Sequence, residues 1–240
     1  MKFDLETVVI AVSFITSFFA VFLSNGIIIG VPAIAQEFAM NNVIQNWVPT
    51  IFFLVVAVFT VPAGQISGKF GVKKSLLGGV LLYLFASIGA VLSFSTESFL
   101  IFRMLQGAGV AFLNVSAMAM VVQAVKPQNR GKALGFTVTG VYLATSLSPV
   151  ICGFLVYNLG WRSIFYAVIP FLVLCIILMI VKVPQDWKTY EHDSIDKVGS
   201  LLYAVGILFF IYGFTNLVNQ SGIIFTVAGI IFLVIFAAWE

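Results

Sequence analysis

The sequence predicts an all-α integral membrane protein built from two three-helix repeats of opposite orientation and two further transmembrane helices. Three observations predict it. Of the 240 residues, 61% are apolar and only 9% charged, with 25 Phe and a mean hydropathy of +1.13. That is more hydrocarbon than a soluble domain of this length has interior to hide. The apolar residues gather in eight runs, each long enough to cross about 30 Å of hydrocarbon. Two glycine turns of similar pattern recur on opposite sides of those runs. Backbone amides cannot stay unpaired in lipid, so the runs are expected as helices. The alternation of a membrane β-barrel is absent.

Span one covers 8–31 and places Ser13, Thr16, Ser17, Ala20 and Ser24 on one helical stripe. It does not read as a cleaved signal peptide. "AIA" at 33–35 resembles a cleavage site, but the apolar run is too long and Lys2 is offset by Asp4 and Glu6. Spans two (47–67) and three (75–94) flank "GQISGKFGVKKS", residues 64–75, which holds Gly64, Gly68, Lys69, Gly71, Lys73 and Lys74. Span four (98–123) sets Arg103, Gln106, Gly107 and Asn114 on one face. Polar stripes avoid lipid, so these and the hydroxyls of span one should face each other or a wet cavity. For the hydroxyls, simple helix packing is the competing reading. Arg103 either snorkels to the headgroups, or lines an aqueous cavity or binds anionic groups.

Span five (133–156) carries Gly140, Ala144, Ser148 and Cys152 at four-residue spacing, with Pro149 and Gly153 alongside. Such a stripe admits a close helix neighbour, and the proline bends the helix. Span six (163–182) is followed by a polar connector at 184–198, whose mixed charges read as a solvated face. Spans seven (199–217) and eight (222–238) complete the chain.

Basic residues set the sidedness. Lys69, Lys73, Lys74, Lys126, Arg130, Lys132, Lys182, Lys188 and Lys197 all fall in loops on one side, against Arg162 on the other. This asymmetry places both termini in the cytoplasm of a multi-pass plasma-membrane protein. The loop at 64–75 then has a counterpart outside, "GFLVYNLGWRS" at 153–163. Gly64 and Gly71 are spaced as Gly153 and Gly160, each second glycine precedes a bulky and then a basic residue, and Pro62 and Pro149 stand before the first. Spans one to three and four to six therefore read as inverted copies, a design of alternating-access carriers.

Other classes fit poorly. Cys152 and Cys175 lie in apolar runs and read as packing residues. His192 has no ligand-spaced companion, so no metal site is expected. A membrane-embedded enzyme would need a denser cluster of His, Asp, Glu or Cys. No cofactor, nucleotide or nucleic acid is implied, because the glycines of 64–75 lack a strand-to-helix setting.

Several segments together resemble the major facilitator superfamily, and within it the fourteen-helix drug:proton antiporters. "GQISGKFGVKKSL" resembles its signature loop, "LIFRMLQGAGVAF" (100–112) its helix-four motif, and "QNRGKALG" (128–135) the loop before helix five. "GVYLATSLSPVICGFL" (140–155) resembles the antiporter motif of helix five, and "GWRSIF" (160–165) the start of helix six. The resemblance implies a multidrug-efflux type of secondary transporter for hydrophobic or amphipathic small molecules, with no enzymatic activity. It implies that the signature loop helps gate the cytoplasmic opening, that Arg103, Gln106, Gly107, Asn114, Ser24 and Asn25 belong to transport and coupling, and that the span-five motif restricts leakage.

The departures are informative. Gly68 stands at the signature loop's acidic position and Val72 at one of its basic positions. "LSNGIIIGVP" (23–32) offers Ser24 and Asn25 where a carboxylate is usual, and Ser148 and Cys152 replace glycines of the span-five motif. No acid lies within the first six spans, whereas a proton used as coupling ion needs a titratable group. The resemblance divides the chain into an amino-terminal bundle (1–183), a cytoplasmic connector (184–198) and two linking helices (199–240), with a carboxy-terminal bundle expected but missing. A second half or a homodimer is the implied partner, with membrane lipid and a small-molecule substrate. The alternative is a membrane-inserted remnant or structural subunit that moves nothing. Cargo charge stays open, since Arg103 does not favour cations.

Overall fold

The computed structural model describes residues 5–188, 196–217 and 219–239. Among the described residues there are eight helices and no strands: α1 Leu5–Glu37, α2 Asn42–Phe70, α3 Val72–Val91, α4 Thr96–Ala124, α5 Pro127–Leu159, α6 Arg162–Lys182, α7 Lys197–Thr215 and α8 Gln220–Trp239. All eight are long and apolar enough to cross a membrane. Most outrun the predicted spans, because helical hydrogen bonding continues past the hydrocarbon until a capping residue ends it. The third and seventh instead end three and two residues early, at Val91 and Thr215, and a short turn leads from the third into α4.

The caps are local and chemical. Asn41 accepts the amide of Ile44 at 2.9 Å to start α2. Ser95 and Ser98 exchange side-chain and backbone bonds of 3.1 and 3.2 Å, a capping box that starts α4. Pro127 opens α5, where its missing N–H costs nothing. Asp196 accepts the amide of Gly199 at 2.9 Å to start α7.

The six-helix bundle obeys the predicted inverted repeat. α1 packs on α5 as α4 packs on α2; α3 packs on α4 as α6 packs on α1; and α1 meets α4 and α3 meets α6 at the centre. Exchanging α1–α3 with α4–α6 maps this set of contacts onto itself. The centre is buried: Val9, Val12, Leu23, Ile27, Leu76, Val80, Phe165, Val168 and Leu172 are closed to solvent.

Small residues bring the axes together. A Cβ on Gly26 of α1 would stand 2.5 Å from the Cys152 sulfur of α5, and one on Gly140 would stand 3.0 Å from the Phe14 ring. Gly140, Ala144, Ser148 and Cys152 all lie on the buried face of α5, as their spacing predicts. Gly153 and Pro149 depart from the packing expectation. Pro149 is exposed, and a Cβ on Gly153 would meet nothing within 4 Å. They sit on the flank of α5 turned away from α1, which no described helix covers.

α7 and α8 form a hairpin that meets the bundle through α2. Gly206 and Gly213 of α7 and Gly222 and Gly229 of α8 recur every seven residues, and Cβ atoms at Gly213 and Gly229 would collide with the backbones of Thr226 and Phe210. Ser200 donates to Gln65 of α2 at 3.0 Å, and Trp239 donates to Asp196 at 2.8 Å, closing the hairpin.

The two glycine environments make a paired test. Gly26→Val should lower unfolding stability in detergent by about 1–3 kcal/mol, the cost of overpacking. Gly153→Ala should change it by less than about 0.5 kcal/mol. A denaturing-detergent titration followed by circular dichroism measures both.

Candidate functional site

Arg103 lies two turns into α4 and is fully buried. Its side chain is closed to solvent within the bundle. Its Nε donates to the Val48 carbonyl of α2 at 3.3 Å, and its Nη1 donates to Gln106 Oε1 at 2.8 Å. Gln106 Nε2 donates to Ser87 Oγ of α3 at 2.9 Å, and Ser87 donates on to the Tyr83 carbonyl at 2.7 Å. The guanidinium lies over the Phe52 ring, 4.4 Å from its centroid. Nη2 has no hydrogen-bond partner among the described residues.

The network joins three helices through one charge. No carboxylate among the described residues takes part in it. The ring face, a carbonyl and an amide oxygen supply the negative ends that a buried cation requires. Gly107, one turn on, makes room for this: a Cβ there would stand 2.6 Å from the Phe52 carbonyl. Tyr83 extends the cluster toward α1, its hydroxyl 3.4 Å from the Phe19 carbonyl.

The predicted polar stripe therefore divides. Arg103, Gln106 and Gly107 come together, whereas Asn114 is exposed and outside their network. On α1, Thr16 bonds back to Val12 at 2.8 Å, Ser24 bonds back to Ala20 at 2.6 Å, and Ser13 crosses to the Ala117 carbonyl of α4 at 3.3 Å. Ser13 thus joins α1 to α4, whereas Thr16 and Ser24 satisfy their hydroxyls within α1. Asn25 is half-buried, beside Ser24 but on the more open flank of α1.

The signature-loop residues cluster at the α2–α3 turn. Gly71 has φ of 116°, a conformation that favours glycine. Gly64 faces Val115 at ordinary contact distance, Gly68 is buried, Lys69 and Lys73 are half-buried, and Lys74 is exposed. The carboxylate absent at position 68 arrives from another segment: Asp186 Oδ1 accepts the Lys73 amide at 2.8 Å, and the Val72 amide donates to the Trp187 carbonyl at 2.8 Å. The connector is thus more than a solvated face at its start. Residues 189–195 of the connector, with His192, lie outside the described residues.

Sequence reasoning missed Val48, Phe52, Ser87, Glu37 and Asp186. Apart from Asp186, in the mixed-charge connector, none sits in a polar stripe or charge run that marks it, and each acts through a residue more than fifty positions away, apart from Ser87, which is 19 from Gln106. Cys152 and Cys175 are free and buried, as packing residues are.

Eight apolar helices, six of them in an inverted-repeat bundle around a buried arginine, define a multi-pass membrane protein of carrier architecture. The chain matches the Major Facilitator Superfamily over residues 13–239 and belongs to it. Transporters, not enzymes, make up that superfamily. The chain is similar to the uncharacterized MFS-type transporter YvkA of Bacillus subtilis (strain 168), with 31% identity over 77% of this chain and 42% of that one. It is also similar to the riboflavin transporter RibZ of Clostridioides difficile (strain 630), with 28% identity over 72% and 38%, respectively. The multidrug resistance protein Stp of Mycobacterium tuberculosis (strain CDC 1551 / Oshkosh) is 29% identical over 81% of this chain and 36% of its own length. The chain thus spans 36% to 42% of the length of these relatives. In fold it resembles the crystal structure of the peptide transporter POT in complex with sulfate, with a TM-score of 0.70, 15% identity, and coverage of 88% of this chain and 51% of that one.

Gln106 is the network's one adaptor between the cation and α3. Gln106→Leu should strip Nη1 of its acceptor and cost about 1–3 kcal/mol. The same denaturing titration should show this loss, while membrane insertion stays normal.

Proposed function

We propose that this chain is the amino-terminal half of a secondary active transporter of the multidrug-efflux type, moving hydrophobic or amphipathic small molecules outward by alternating access. The observation that carries the proposal is the inverted-repeat bundle with one flank left open. The α5 flank opposite α1 presents Tyr142, Ser146, Pro149, Gly153 and Tyr157, all but the half-buried Gly153 exposed. Glycine, proline and hydroxyl groups suit a close helix neighbour, and tyrosine suits a boundary that is partly wet. A second bundle or a second copy of the chain would face this flank across the substrate path. Asn25 and Asn114 are the amides best placed to meet a substrate, because they are not committed to packing.

Similarity to Stp supports the drug-efflux class, and similarity to RibZ extends the range of cargo to a polar aromatic vitamin. Coupling to protons is a part of the proposal for which the first six helices offer little. Their carboxylates, Glu6, Glu37 and Glu97, lie in terminal turns. A titrating acid would come from the opposing bundle. The proposed setting is the plasma membrane, with both termini cytoplasmic.

The second reading is a membrane-inserted chain that moves nothing, favoured by the same open flank when the chain stands alone. Counterflow of a lipophilic cationic dye in vesicles separates the two. The 240-residue chain, alone and co-reconstituted with a carboxy-terminal bundle from a relative, is expected to give counterflow only when the opposing wall is present; none in either case favours the inert reading. In a transporting assembly, Arg103→Ala should abolish coupled transport while insertion remains normal, and unchanged transport would remove Arg103 from the machinery. Sidedness is checked by Lys74→Cys and Tyr157→Cys, which should label from the cytoplasmic and outer faces respectively.

A further inference from the structure

Two turns of the bundle are built alike, and neither polar network nor open flank explains them. Gly71 and Gly160 are the two glycines with positive φ among the described residues, at 116° and 80°. Each is followed by a buried side chain, Val72 or Trp161, and then by a base, Lys73 or Arg162. Lys73 Nζ donates to the carbonyl of Val183, where α6 ends. Arg162 Nε donates to the carbonyl of Val91, where α3 ends, at 2.9 Å. Each base therefore leaves its own triplet and holds the last turn of the third helix of the other.

A carboxylate from the other triplet's side completes each turn. Asp186, just beyond α6, accepts the Lys73 amide at 2.8 Å and so caps the start of α3. Its second oxygen is buried without a hydrogen bond and lies against Gly71, where a Cβ would collide with it. Glu37, at the end of α1, accepts Arg162 through two nitrogens at 2.8 and 2.7 Å and Trp161 Nε1 at 2.8 Å. The Arg162 guanidinium also stacks on Trp161, 4.2 Å from the ring centroid. The base does the same on both sides, while the carboxylates differ: Asp186 accepts a backbone amide at the start of α3, and Glu37 holds the side chains of Arg162 and Trp161. Carbonyls at a helix end have no intrahelical partner and carry negative charge, so a base satisfies them; amides at a helix start are the reverse, so a carboxylate satisfies them.

We infer that the two turns are one latch used twice, each pinning the α3–α6 seam on its own side of the membrane, so that the six helices move as a single body. Asp186 and Glu37 are positioning residues of that body. The signature loop is on this account a clasp and not a hinge. The inference rests on the transport reading only for the purpose of a rigid bundle.

The test uses the full chain in lipid nanodiscs, read by hydrogen exchange and by spin-label distances between Lys74→Cys and Lys182→Cys. Asp186→Ala should raise exchange in residues 71–76 roughly tenfold, the scale of one lost helix cap, and leave residues 88–95 unchanged. Asp186→Asn should recover most of the protection, because its amide oxygen still accepts. Arg162→Ala should do the converse, opening 88–95 and not 71–76. The spin-label distribution should be narrow in the parent and broad in Asp186→Ala. Lys73→Met, which removes only the Val183 contact, should broaden it without loss of folding. Unchanged exchange at 71–76 in Asp186→Ala, equal opening of both turns, or an unaltered distance distribution in Lys73→Met would overturn the latch. No readout requires transport, so failure of the latch and failure of the transport reading are separate results.

Discussion

Lipid offers a polar group nothing to bond, and the interior of this protein is organised around that fact. Arg103 places a full charge inside the bundle, where an unpartnered cation costs on the order of several kcal/mol. The chain meets the cost with groups from three helices: the Val48 carbonyl and Phe52 ring of α2, the Ser87 hydroxyl of α3, and Gln106 of α4 itself. Because these must converge, α2, α3 and α4 are held at one distance and one rotation. Gly107 and Gly109 are the consequence, since a side chain at either would strike the neighbouring backbone.

The same constraint shapes the hydroxyls. Ser24, Thr16 and Thr60 return their hydrogens to the carbonyl four residues back, which leaves no polar surface for lipid to reject. Where a helix must end, the exposed backbone groups are answered by side chains from other segments. At the α2–α3 and α5–α6 turns the answer crosses from one triplet to the other, so satisfying helix ends and joining the two repeats are one act. The hairpin of α7 and α8 stands apart from this economy. It closes on itself through glycines at seven-residue spacing and touches the bundle along α2.

Much of the architecture was legible in the residues. Eight apolar runs became eight helices, because length and hydrocarbon content leave lipid-spanning segments little choice. The inverted repeat was legible from two glycine turns, since a basic residue two positions after a left-handed glycine serves the same end in both. The stripe Gly140, Ala144, Ser148 and Cys152 was legible as a contact face because four-residue spacing on a helix keeps small residues in line. Pro149 and Gly153, in the same motif, fell on the other flank because adjacent positions lie about 100° apart around the axis.

The site was legible in part, for a physical reason. Sequence alone determined that Arg103, Gln106 and Gly107 share a face, that both cysteines are buried, and that lysines crowd one side, because period, composition and charge are local properties. It did not reveal what Arg103 faces, since a stripe states a direction around one helix and not the neighbour in that direction. Only the tertiary structure decided that the charge meets Phe52 and a chain of amides and hydroxyls, that Asn114 stands outside that network, and that Asp186, from a connector read as solvated, caps α3. Such partners are set by how helices far apart in the chain come to rest against one another, and no local pattern carries that information.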